Sequence, residues 1–295
     1  FILKSPGFWI PAKSRKGSIM GTISTREPHQ IKVRRMDFEF GEDIPENWAA
    51  DNPILTGLLT ALSGSFPAGE RFFIDSVRHF MDRIDEPELR RRVRGFVGQE
   101  AAHTKEHLAF NRFLDERGFF AKMVEERVEA GIAKVKEMST PEECLAHTVA
   151  LEHLTAFLAS AILENPDMLE RMHPTIAAFW AWHAIEEIEH RSVAFDVYKK
   201  VVDDEKLRRR MMTRTIIFFS VLNAYRTLLI LKKRGTIADL PAWAEAYSML
   251  FGKKGAIRRT WPLFKAYYRR DFHPDQHDND AIVAEAKEKY LGAAA

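Results

Sequence analysis

The sequence predicts an all-α fold, a bundle of long helices joined by short turns. Three observations lead there. From Asn52 onward nearly every segment carries apolar residues at helical spacing. Proline, glycine and capping signals cut that pattern into helix-sized pieces. Strand-like windows and glycine-rich phosphate loops are missing from the same stretch, which argues against α/β classes.

Bulk properties narrow the function. At 295 residues, 46% hydrophobic and 29% charged, the composition is that of a soluble globular protein with a sizeable core. A formal net charge of +2 gives no reason to expect nucleic acid. The single cysteine, Cys144, excludes an internal disulfide and a thiolate cluster. Any metal must then be held by nitrogen and oxygen. A cytoplasmic setting is expected.

Residues 1–50 read as an N-terminal arm, partly disordered or foreign to the natural chain, with Met20 the candidate natural start. Within it "MDFEF" (36–40) alternates and reads as a short strand. The first long helix is expected over 66–84, with Ser65 as its cap, Pro67 in its first turn and Glu86-Pro87 closing it. The next runs over 87–117 and stops at Gly118; a more polar one covers 121–138. "STPEEC" (139–144) starts another: Thr140 caps it, Pro141 takes the first position, and Glu142 and Glu143 sit at the positive end of the dipole. It should reach 163, where "ENPD" ends it. Pro174 opens a helix expected to extend to 202. Others follow near 205–233, 239–251 and 257–270, with a short one at the C-terminus. The organisation expected is a bundle over 51–204 with additional helices over 205–295 packed on the same domain.

Two helices carry Glu-x-x-His: "EAAH", Glu100 to His103, and "EIEH", Glu187 to His190. A helix advances about 100° per residue, so each pair shares a face. Two more glutamates, Glu70 and Glu152, lie in helix interiors among apolar neighbours, where a lone carboxylate is costly. Chance alone, with 26 Glu and 11 His, yields about one Glu-x-x-His. A third match, Glu170 to His173, abuts Pro174 and reads as the chance one. One Glu from each of two helices, and Glu-x-x-His from each of two others, is the signature of a dinuclear carboxylate site in a ferritin-like four-helix bundle. Bridging carboxylates offset the repulsion between two close cations, and the donor set suits two ions of Fe, with Mn as the alternative.

His183 stands four residues before Glu187 on the same stripe. Spacing leaves it either a third imidazole ligand or a supporting or surface residue. His107 shares the Glu100 face two turns along and reads as a support behind the ligands. Glu186 and Glu189 are rotated away from Glu187 and read as solvated or supporting. Phe73, Phe96, Phe157, Phe179, Trp180 and Trp182 are candidates for an apolar wall, or ordinary core.

"FPAGERFF", "GFVGQEAAHTKEH", "EHLTAF", "WHAIEEIEHRSVAFDVY" and "YYRRDFHPD" resemble the bacterial family of predicted metal-dependent hydrolases, across about 52–275. The ligand pattern is also similar to that of di-iron N-oxygenases of the p-aminobenzoate N-oxygenase type, which have a third histidine one turn before the last Glu-x-x-His. The resemblance implies a seven-ligand site: Glu70, Glu100, His103, Glu152, His183, Glu187 and His190.

The activity expected is that of a non-haem di-iron, or Fe/Mn, oxidoreductase that activates O2 to oxidise or oxygenate a small organic substrate, a lipid-like one being among the candidates. Electrons would come from an external reductase, since no flavin or nicotinamide motif is present. The alternative is a dinuclear hydrolase using a metal-bound hydroxide, and a third reading is iron handling. "TIIFFSVLNAYRTLLIL" (215–231) is strongly apolar and "KKGAIRRTWPLFKAYYRR" (253–270) mixes basic and aromatic residues. Both fit a buried helix beside a solvated one, or a peripheral contact with the inner membrane face. A homodimer is also considered.

Overall fold

The computed structural model describes residues 31–292. The expectation for Met20 lies outside them. Among the described residues regular structure is entirely helical. Residues 31–52 run without a helix, but they are packed: Arg34, Ile44 and Trp48 are buried. "MDFEF" is not a strand. Among the described residues no second strand exists to pair with it, and its alternation serves side-chain packing: Phe38 and Phe40 both meet the Phe179 ring edge-on.

α1 (Pro53–Ser63) and α2 (Phe66–Arg78) follow one another almost without a break. Ser65 therefore does not cap α2. Its backbone is already helical, and its hydroxyl donates back to the Ala61 carbonyl at 2.7 Å. α2 is also shorter than expected, with a 3₁₀ turn over Met81–Arg83 taking up the rest. α3 (Pro87–Glu116) spans 30 residues, about 45 Å. It stops before Gly118, whose φ of +75° suits a residue lacking Cβ. α4 (Ala121–Met138) and α5 (Pro141–Leu163) follow, and α5 opens on the full Thr140/Glu143 capping box.

After a short α6 (Pro166–Glu170) come α7 (Pro174–His190) and α8 (Val193–Val201). The single helix expected over 174–202 is thus two, separated by a turn at 191–192. Tertiary partners hold that turn: Arg191 Nη2 donates to the His277 carbonyl at 2.7 Å, and Ser192 Oγ accepts from Arg92 at 2.6 Å. α9 (Glu205–Arg234), α10 (Leu240–Phe251), α11 (Ala256–Ala266) and α12 (Asp280–Ala286) complete the chain. α9 packs on α5 and α1, and α11 on α5.

α2, α3, α5 and α7 close a ring: α2 lies on α3, α3 on α7, α7 on α5, and α5 on α2. Two apolar cores bracket its middle. One takes Phe110 and Leu114 of α3 with Phe179 and Trp182 of α7. The other takes Val93 and Phe96 of α3 with Phe72, Leu145 and, beyond His190, Phe195 of α8. Between them α3 presents Glu100 to His107.

Candidate metal centre

The ring brings all seven residues together. Glu70 comes from α2, Glu100 and His103 from α3, Glu152 from α5, and His183, Glu187 and His190 from α7. None is more than 5% exposed. Donor atoms of Glu70, Glu100 and His103 lie within 4.8 Å of one another, as do those of His103, His183 and Glu187, and those of Glu100, Glu187 and His190. Glu152 joins through His190, whose Nε2 is 3.5 Å from Glu152 Oε2, 3.2 Å from Glu100 Oε1 and 3.6 Å from Glu187 Oε2.

Each imidazole is turned by a partner on its far nitrogen. Gln99 Oε1 lies 3.0 Å from His190 Nδ1 and can only accept, so Nδ1 donates there and Nε2 is the nitrogen that faces inward. Glu186 Oε2 lies 3.1 Å from His103 Nε2, which leaves Nδ1 as the inward atom, 3.6 Å from Glu187 Oε1. The third orientation is relayed. Ser63 Oγ spends its proton on Asn111 Oδ1 at 2.6 Å, so it accepts from His107 Nδ1 at 2.9 Å. His107 Nε2 must then accept from His183 Nδ1, also at 2.9 Å. His183 Nε2 is then the inward nitrogen, 3.2 Å from Glu187 Oε1. His107 thus stands behind His183 and aims it.

Eight side-chain atoms here are buried without a hydrogen bond: Glu70 Oε1, both oxygens of Glu100 and Glu152, Glu187 Oε2, His103 Nδ1 and His190 Nε2. Orphaned polar atoms are rare in protein interiors, and such a cluster needs a compensating charge. Burial pushes the Glu70 and Glu100 carboxyls well above the usual carboxylate range and Glu152 to about 8, with neighbouring carboxylates adding to the rise. For Glu187 burial works the same way, but His190 and His183 overcome it and hold the group well below its ordinary value. Burial disfavours the charge on His190, yet Glu187 and Glu152 lift it to about 9. Burial and His183 drive His103 down to about 4. Without a cation the cluster keeps itself near neutrality by holding protons; cations would displace them. The donors fit a metal centre held by nitrogen and oxygen. Glu100 is shared by the Glu70–His103 group and the Glu187–His190 group, Glu187 also groups with His103 and His183, and Glu70 groups with His107 and His183 as well.

The supporting residues were only partly visible in the sequence. Glu186 and Glu189 are both buried rather than solvated. Arg34 reaches in from the non-helical segment and donates to Glu186 at 2.9 Å and to both oxygens of Glu189 at 2.8 Å. Nothing in the local sequence around Arg34 marks it. Gln99 ties Glu189 (2.9 Å) to His190, and Thr104 donates to Glu70 Oε2 at 2.8 Å. Both adjoin Glu-x-x-His members in sequence, the one signal that could have found them.

Aromatic rings enclose the imidazoles. Trp182 meets His103 edge-on at 4.8 Å between centroids, Phe96 meets His190 at 5.0 Å, and Phe179 meets His107 at 4.7 Å. Phe66, not among the expected wall residues, stacks on His183 at 4.7 Å. Trp180 lies farther out, at 6.4 Å from the His183 ring, whereas Phe157 pairs with Phe264 and Phe73 with Phe72. His173, of the chance Glu-x-x-His, pairs with Asp43 instead.

The model of the family described as predicted metal-dependent hydrolase matches residues 32–278, and the chain belongs to that family. Neither curated proteins nor solved structures gave a match. The family description and the buried His/Glu clusters together make this a metal-dependent protein.

Proposed function

We propose that this member of the predicted metal-dependent hydrolase family is an oxidoreductase with a dinuclear iron, or iron–manganese, centre in a ferritin-like bundle, acting with O2 on a small organic substrate. The observation that carries the reading is the set of buried donors converging from four helices, four carboxylates and three imidazoles with no sulfur, of which all but His183 have atoms left without a hydrogen bond. Nitrogen and oxygen donors in that ratio suit iron and manganese. When bound, such ions supply one-electron redox chemistry and a Lewis acid. The chain's own residues do the rest. Glu70, Glu100, Glu152 and Glu187 balance the charge; Gln99, Glu186 and His107 hold the three imidazoles in orientation. Trp182, Phe96 and Phe66 keep water from the centre, which protects an oxidising site. Electrons would come from a separate reductase, and a lipid-like molecule is the candidate substrate class.

Hydrolysis is the second reading, favoured by the family description. In that case the ions would act as Lewis acids on water. The test is to strip the protein, load it anaerobically with ferrous iron and admit O2. Two irons per chain with O2 uptake and a transient visible band support oxidation. Two metals inert to O2, with turnover of ester or amide substrates, support hydrolysis. Absence of stoichiometric metal refutes both.

A further inference from the structure

Among the described residues two helices are long and apolar enough to cross a membrane, and they are treated oppositely by the fold. The apolar window of α5 has a mean hydropathy of 1.3 and is 67% buried; that of α9 reaches 1.4 and is only 28% buried. The difference is a stripe on the outer side of α9. Ile217, Phe218, Val221, Leu222, Tyr225 and Leu228 are 42–61% exposed. Their spacing places them on one side of the helix over about 16 Å. Between Arg214 and Lys232 the only charged residue on α9 is Arg226, which is half-buried and directed to Ser65 Oγ at 3.4 Å. A contiguous apolar face of this kind marks an interaction site on a folded protein.

α9 does not leave the bundle to span a bilayer. Its inner side is packed on α5 and α1, and Arg208 near its start is fully buried against the segment after α11, donating to the Tyr267 and Arg269 carbonyls. The helix is held flat. Exposed cations flank the stripe at both ends, Arg210 and Arg214 before it and Lys232 and Lys233 after it. Arg127 of α4 adds another beside Tyr225, 3.3 Å from its hydroxyl. The one acidic residue of α9, Glu205, lies before the stripe and is paired with Arg208 and Arg209.

That charge pattern selects the occupant. If a second copy paired through α9 about a twofold axis, parallel or antiparallel, basic ends would face basic ends. A surface that is apolar at depth and anionic at its edge complements it. We propose that the outer face of α9 docks the protein on an anionic lipid bilayer, the stripe inserted at the headgroup–acyl boundary and the flanking Arg and Lys on lipid phosphates. This rests on the outer surface of α9 and the cations around it, and is independent of the chemistry at the metal centre.

The experiment is flotation of the full chain with phosphatidylglycerol/phosphatidylcholine vesicles and with phosphatidylcholine vesicles. The protein should float with the anionic vesicles at low salt and come off as salt rises. F218S/V221S and, separately, R214E/K232E should each lower the bound fraction by roughly tenfold or more, with circular dichroism unchanged because all four side chains are exposed. Failure to float overturns the proposal. Flotation that both variants retain overturns it too, since another surface would be responsible. Self-association abolished by F218S/V221S, without vesicle binding, would assign the face to a second copy instead.

Discussion

Replacing Glu100 by Leu should make the metal-free protein more stable and the metal-loaded protein less so. Both Glu100 oxygens are buried without a hydrogen bond, and burial with the surrounding carboxylates pushes the group's pKa well above the usual carboxylate range. An unsatisfied buried polar group costs about 1–3 kcal/mol. Leucine is close in volume and adds apolar contact beside Phe96 and His103, so no cavity offsets the gain. Metal-stripped Glu100→Leu should therefore be more stable by roughly 1–3 kcal/mol, raising the melting temperature by about 2–6 °C for a chain of this size. Loading reverses the order. A cation present at a hundred times its Kd adds about 2.7 kcal/mol to the native protein. The variant, lacking a carboxylate placed between both donor groups, loses most of that. The assay is thermal unfolding of both proteins, stripped with chelator and reloaded with Mn²⁺ as a redox-quiet probe. A stripped variant that melts below stripped wild type would refute the argument. Glu100 would then be stabilising the fold through contacts of its own rather than waiting for a cation.

Gln99→Leu removes the acceptor on His190 Nδ1 and a donor to Glu189; Mn²⁺ affinity should fall by about 10–100-fold, read by competition with a chromophoric chelator, and an unchanged affinity would dismiss Gln99 as a support. Arg34→Met leaves buried Glu186 and Glu189 without their common cation, so the urea midpoint should drop by the equivalent of about 3–5 kcal/mol; an unmoved midpoint would show that the ion pairs carry no stability. Metal binding should release protons. Glu152, raised to about 8, and His190, raised to about 9, both hold a proton at neutral pH in the metal-free centre and must lose it to ligate. Affinity should thus climb with pH up to about 9 and level off above, and a pH-independent Kd with no indicator response on loading would contradict this reading.

Much of the fold was legible because helix formation is local. The capping box at Thr140, the prolines at 141 and 174, and the stop before Gly118 act within a turn of where they stand. Where the expectation erred, a distant partner decided. The helix expected over 174–202 breaks at Arg191 and Ser192, which are held by His277 and Arg92. Ser65 fails as a cap because α1 ends only two residues before it, at Ser63, and the backbone at Ser65 is still helical.

The centre divides the same way. Which residues share a stripe, Glu100 with His103 and His183 with Glu187 and His190, follows from helical rotation and could be read from spacing. That the four stripes face one another, with eight unpartnered donors in one volume, is a property of the closed ring of α2, α3, α5 and α7. The nitrogen each imidazole turns inward is set by Gln99, Glu186 and the Ser63–His107 relay, from helices and turns that no local pattern links to it. Arg34 is the extreme case, 152 residues from Glu186 in the chain and 2.9 Å from it in space. Likewise α5 and α9 are equally apolar as sequence, and only packing buries the first and leaves the face of the second open. Periodicity is written in neighbours along the chain; compensation of buried charge, and exposure, depend on neighbours in space.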